Sequence, residues 1–130
     1  MGSSEPSKCS LPRRCLAYLA EVVDACDAVG NYVEGVNLDA YRSTRSLRSA
    51  VEREFILIAK AFNSLVQLEP ALGQRISHAR RIVDLQNHLT YEYYAISDAA
   101  VWSLATDEVA LVRRECSALI AECEAGSAGK

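Results

Sequence analysis

The stretch of this chain best equipped for chemistry runs Arg80-Arg81-Ile82-Val83-Asp84-Leu85-Gln86-Asn87-His88-Leu89-Thr90-Tyr91-Glu92-Tyr93-Tyr94. It packs two arginines, a histidine, two amides and three tyrosines at the end of a helical pattern. A buried core needs no such mixture, and helix ends are where such groups converge on a ligand. Arg81 and His88 are seven positions apart, so on a helix their side chains fall ~20° apart on one face. Leu85 lies between them on that face, a poor floor for an active site. The competing reading is a solvated arginine and a helix-end histidine near a carbonyl. Elsewhere the chain carries no Gly-rich phosphate loop, no Ser–His–Asp set and no acidic cluster of metal-site type, so neither metal nor cofactor is expected.

The elements that must hold this stretch are helical. Of the 130 residues, 50% are hydrophobic and 24% charged, with a formal net charge of −3, which is one domain's worth of chain with a real core. Disorder is excluded by that apolar content, and no apolar run is long enough to cross a membrane. Leu16 to Val29 is interrupted by Glu21, Asp24 and Asp27 and does not read as a secretory signal, which points to the cytoplasm. Five cysteines show no Cys-x-x-Cys pair, and Cys26, Cys116 and Cys123 fall on apolar helix faces as small hydrophobes. The mild acidity argues against indiscriminate nucleic-acid binding but leaves room for a local basic patch.

Residues 1–10 and 124–130 read as disordered tails around a helical domain at 11–123. Leu16, Leu19, Val23, Cys26 and Val29 make one apolar stripe, weakened near its end by Gly30-Asn31. Asn37 offers a cap for a short helix through Tyr41. A longer helix buries Leu47, Val51, Phe55, Ile58, Phe62 and Leu65, carries Arg45, Arg48, Glu52, Arg53, Lys60 and Asn63 opposite, and stops before Pro70. The next starts near Ala71 with Leu72, Ile76, Ala79 and Val83 inward. The last begins at Asp98 and sets Val101, Ala105, Val109, Val112, Cys116, Leu119 and Cys123 at near-heptad spacing. The expectation is an all-α, up-and-down bundle of four to five helices. Its longest stripes carry an apolar surplus that a second subunit could cover, hence a homodimer. Trp102 reads as a core anchor at the start of the last helix. Arg42, Arg45 and Arg48 would form a ridge if helical, framing an RNA groove with Arg75, Arg80 and Arg81, or a solvated face balanced by Glu52, Glu54 and Asp39.

The motif stretch resembles the signature of HepT-like proteins of the HEPN superfamily, the toxin half of HEPN–MNT toxin–antitoxin pairs. That signature reads Arg-Asn, three residues, His, a small or acidic residue, then Tyr and an aromatic. Gln86-Asn87-His88-Leu89-Thr90-Tyr91-Glu92-Tyr93-Tyr94 fits the frame without a gap. Ser49 to Ala61 looks like the family's central helix, and Ala95 to Trp102 like the entry to its last one. The resemblance implies a HEPN-like bundle, metal-independent endoribonuclease activity in a dimer cleft, and a nucleotidyltransferase partner of the MNT type.

The departures fall on the residues the resemblance makes catalytic. The family's arginine is Gln86 here and its histidine is Tyr91, while its Gly-Glu pair in the central helix is Ala59-Lys60. In the family those two motif residues support attack by the ribose 2′-hydroxyl and stabilise the phosphate charge. Gln has neither a permanent cation nor a charged fork. Tyrosine, which ionises near ~10 in water, is a poor general base at neutral pH. Cleavage is therefore expected to be impaired, with Asn87 orienting the phosphate and His88 or Arg81 as substitutes for the missing pair. Arg45, Arg48 and Arg80 are the candidate RNA contacts. Tyr93 stands where the family's partner adenylylates a tyrosine; the alternative is an aromatic cluster of Tyr91, Tyr93 and Tyr94 under the last helix. The rival functional reading is a non-catalytic HEPN domain that binds a nucleotidyltransferase and, through the same cleft, nucleotide or RNA.

Overall fold

The computed structural model describes residues 11–84 and 98–128, all of them helix, turn or short connection. Helix α1 (Arg13–Val33) is the hub, packing against α3 (Arg45–Leu68) on one side and α7 (Val109–Ala128) on the other. Between α1 and α3 lies α2 (Leu38–Ser43), capped by the Asn37 side chain, whose Oδ1 accepts from the Ala40 N–H at 2.8 Å. The chain then makes α4 (Leu72–Arg75), a turn, α5 (79–84) and, after the motif stretch, α6 (Asp98–Ser103). This is an all-α bundle, as its periodicity requires.

Period and polarity place the core faces, with instructive shifts. In α3 Val51, Phe55, Ile58, Phe62 and Leu65 are buried as the stripe predicts, together with Ala59 and Ala61, whereas Leu47 in the first turn is only partly buried against the core. In α1 the buried set is Cys15, Leu19, Val22, Ala25, Cys26 and Val29, so Leu16 and Val23 sit at the rim. The stripe is rotated because α1 serves α3 and α7 at once, and its buried arc must bisect the two. Gly30 does not end the helix, which continues to Val33; the turn is made by Gly35, whose φ of 73° suits a residue without Cβ.

The helix expected from Ala71 is broken. Ile76 leaves helical geometry at φ −116°, ψ 60°, and α5 restarts after it. The restart is stabilised across the bundle: Glu115 of α7 accepts from Ser77 Oγ at 3.2 Å and from the His78 N–H at 3.4 Å. These bonds engage donors at a helix start. Ile82, rather than Val83, then faces fully inward.

The last stripe is correct from Val101 to Cys123, every member buried. Eight residues separate Val101 from Val109, one more than a heptad, and the surplus is absorbed by a π-turn over Leu104–Glu108, where the Val109 N–H bonds the Leu104 carbonyl. Thr106 Oγ1 donates to the displaced Trp102 carbonyl at 2.9 Å. The helix runs on through Ala128, so residues 124–128 are helix rather than tail; adding residues to an existing helix avoids the cost of nucleation. Packing against α1 buries this stripe within the chain. Among the described residues only Tyr32 and Leu57 are large, apolar and exposed. Residues 1–10 and 129–130 lie outside the described chain.

Candidate functional site

In sequence the motif stretch falls between α5 and α6, and the described residues on either side of it carry the contacts that follow. On the entry side, the π-turn and α7 present Glu108, Glu115 and Glu122 at seven-residue spacing, and the 75–81 segment engages all three. Arg75 pairs with Glu122 at 2.9 Å, and Ser77 and His78 meet Glu115. His78 Nδ1 lies 2.8 Å from Glu108 Oε1, and Arg81 Nη1 lies 3.5 Å from Glu108 Oε2. Glu108, better buried than Glu122, belongs to the π-turn, whose wider circumference carries its carboxylate round towards His78 and Arg81.

On the exit side, Asp98 opens α6, which packs against α2. The Trp102 and Tyr41 rings meet with centroids 5.3 Å apart and planes tilted by 44°. Tyr41 is fully buried, and its hydroxyl has no hydrogen-bond partner among the described residues. Burial, then the charges of Glu52 and Asp98, push its ionisation well up, with Arg48 opposing. The Glu52 carboxyl is raised by burial and by Asp98, again opposed by Arg48. Arg48 Nη1 donates to the Arg42 carbonyl.

The predicted site residues divide accordingly. Gln86, Asn87, His88, Tyr91, Tyr93 and Tyr94 lie outside the described residues. Arg45 and Arg80 are exposed, Arg48 is half-buried beside Glu52, and Arg81 is exposed but engaged by Glu108. The arginine ridge does not form as one helix face, because Thr44 separates α2 from α3. Arg48 bonds the Arg42 carbonyl, whereas Arg75 pairs with Glu122 of α7 at 2.9 Å. His78 and the Glu108–Glu115–Glu122 ladder were missed by sequence reasoning. Their signal was the heptad recurrence of acids on α7.

Among the described residues no three His, Cys, Asp or Glu side chains gather as a metal site. The buried thiols of Cys26 and Cys116 are each pushed up to about 12, chiefly by burial, and are inert packing at neutral pH. A groove of about 550 Å³ opens between the C-terminal half of α1 and the π-turn, rimmed by the Asp27–Arg113 ion pair.

Among the described residues the chain is an all-helical bundle in which acids of the last helix and its π-turn engage the 75–81 segment. The family of HepT-like ribonucleases (Ribonuclease HepT-like) matches residues 22–119, and the chain belongs to it. Among curated proteins and solved structures there is no significant match. No helix among the described residues is long and apolar enough to cross a membrane.

Proposed function

We propose that this protein is the HepT-like toxin component of a HEPN–MNT toxin–antitoxin pair, a metal-independent endoribonuclease by descent whose cleavage is impaired. The reading is supported by two residues within the matched range 22–119: on the signature this stretch resembles, Gln86 falls at the arginine position and Tyr91 at the histidine position. The first removes the charged fork for the scissile phosphate, and the second removes a base that works at neutral pH. On this reading RNA meets a cytoplasmic homodimer through Arg45, Arg48 and Arg80, Asn87 orients the phosphate, and a cognate MNT-type nucleotidyltransferase adenylylates Tyr93. The added phosphodiester would put a negative charge beside the RNA path.

A second reading, a non-catalytic HEPN domain that binds its nucleotidyltransferase and nucleotide or RNA, is favoured by one contact. Arg81, the cation best spaced to replace the missing arginine, is oriented towards Glu108 at 3.5 Å. The test is RNA cleavage in EDTA by the native chain beside a Gln86→Arg/Tyr91→His double variant. Cleavage by the variant alone supports an intact scaffold with lost chemistry. Cleavage by the native chain refutes the impairment and directs mutagenesis to Arg81, Asn87 and His88, and cleavage by neither favours the binding domain.

A further inference from the structure

Glu108 gathers a histidine and an arginine on one carboxylate. His78 Nδ1 lies 2.8 Å from its Oε1, and Arg81 Nη1 lies 3.5 Å from its Oε2. A carboxylate only accepts, so Nδ1 carries the hydrogen and the lone pair of the neutral ring is left on Nε2. That nitrogen has no partner among the described residues, and the His78 side chain is 39% exposed, while the carboxylate behind it is only 16% exposed. The main chain is held as well, because Glu115 accepts from the His78 N–H at 3.4 Å. A histidine fixed at its backbone and at one ring nitrogen, with the other nitrogen free, has the form of a general base.

Arg81 supplies the other half of the chemistry. Its side chain is 67% exposed, and the single long contact to Glu108 leaves most of its donor fork for an anion. The cluster has no nucleophile of its own. The neighbouring Ser77 hydroxyl donates to Glu115 at 3.2 Å rather than to His78, so no serine is activated. Nor does a third His, Cys, Asp or Glu among the described residues join the pair as a metal site. A base beside an anion-binding fork suits a substrate that brings nucleophile and phosphate together. RNA is such a substrate, since each ribose 2′-hydroxyl adjoins its own phosphodiester.

We propose that His78 and Arg81 form a second phosphodiester-cleaving site, with Glu108 as its positioning residue, ahead of the motif in sequence. The inference rests on the proposed role in RNA chemistry and names the residues that carry residual cleavage. His78 Nε2 takes the proton of the 2′-hydroxyl, whose oxygen forms the new bond to phosphorus. The bond from phosphorus to the 5′-oxygen breaks, that oxygen takes a proton from water, and the imidazolium returns its own to the solvent. Arg81 faces the charge that gathers on the non-bridging oxygens. The products are a 2′,3′-cyclic phosphate and a 5′-hydroxyl end.

The assay is cleavage of a fluorogenic uridine-rich RNA oligomer by the full chain in EDTA. Slow cleavage is expected, at least about a hundredfold below that of the Gln86→Arg/Tyr91→His double variant, so the motif still counts as impaired. The new ends should be 2′,3′-cyclic phosphates, and an all-deoxy oligomer should stay intact. His78→Ala should lower the native rate about a hundredfold, and added imidazole should restore part of it because the site is open to solvent. His78→Asn, whose amide can still donate to Glu108, should be as inactive while keeping the helical circular dichroism. Arg81→Ala should cost about tenfold, and Glu108→Gln should lower kcat about tenfold with KM unchanged. Native cleavage undiminished in His78→Asn, or no response of His78→Ala to imidazole, overturns the inference. Cleavage by the double variant with none by the native chain overturns it too and leaves the ribonuclease reading standing. Cleavage by neither takes the ribonuclease reading down with it.

Discussion

Replacing Glu108 by alanine tests whether the π-turn exists to hold α5. The substitution removes one carboxylate from two partners of different quality. His78 Nδ1 lies at 2.8 Å with its side chain 39% exposed, whereas Arg81 lies at 3.5 Å and is 67% exposed. A hydrogen bond to a charged group is worth about 1.5–3 kcal/mol in a sheltered site, and partial exposure of His78 brings the expectation to about 1–1.5 kcal/mol. The Arg81 contact is long and solvated, and its coupling should fall below about 0.5 kcal/mol. Urea denaturation of Glu108→Ala should thus show a loss of about 1–2 kcal/mol, or roughly 4–8 °C in Tm for a domain of this size. Double-mutant cycles separate the two contacts: Glu108–His78 coupling near about 1 kcal/mol, Glu108–Arg81 coupling near zero. A larger coupling to Arg81 than to His78, or none to either, would refute the reasoning. The consequence is functional as well, because α5 ends at residue 84, just ahead of the motif stretch in sequence.

Two further outcomes follow from the packing. Gly30 lies inside α1 with nothing within 4 Å of where a Cβ would stand, so Gly30→Ala should raise stability by about 0.5–1 kcal/mol, read as a higher urea midpoint; a loss would mean the groove beside it closes on something. Cys26 and Cys116 have folded-state ionisations raised from the ordinary 9.0 to about 12, so the fold holds their protons longer than the unfolded chain does. Stability from this source is complete below pH 9.0 and is lost as pH rises towards about 12, while thiol reagents at neutral pH should reach these two residues only after unfolding.

Much of this protein could be read from its residues in order. Apolar positions in α3 and in the last helix recur at helical spacing, and each such position from Val51 to Leu65 and from Val101 to Cys123 is buried as its period demands. Asn37 caps α2 through a bond three residues long, and Pro70 forbids continuation of α3. The family is legible for the same reason, and the reading of Gln86 and Tyr91 as motif positions, on which the functional proposal rests, comes from residue types at fixed intervals. What the order of residues left open was decided by contacts between distant positions. The rotated face of α1 depends on two helices packing against it at once. The break between α4 and α5 depends on Glu115, 37 residues from His78, bonding the donors at the restart. The heptad acids of α7 acquire meaning only when the π-turn brings Glu108 to His78. Tyr41, Glu52 and Asp98 become one corner only when α2, α3 and α6 meet. Local periodicity sets what a helix can bury, and only the packed neighbours determine which side chains it must share.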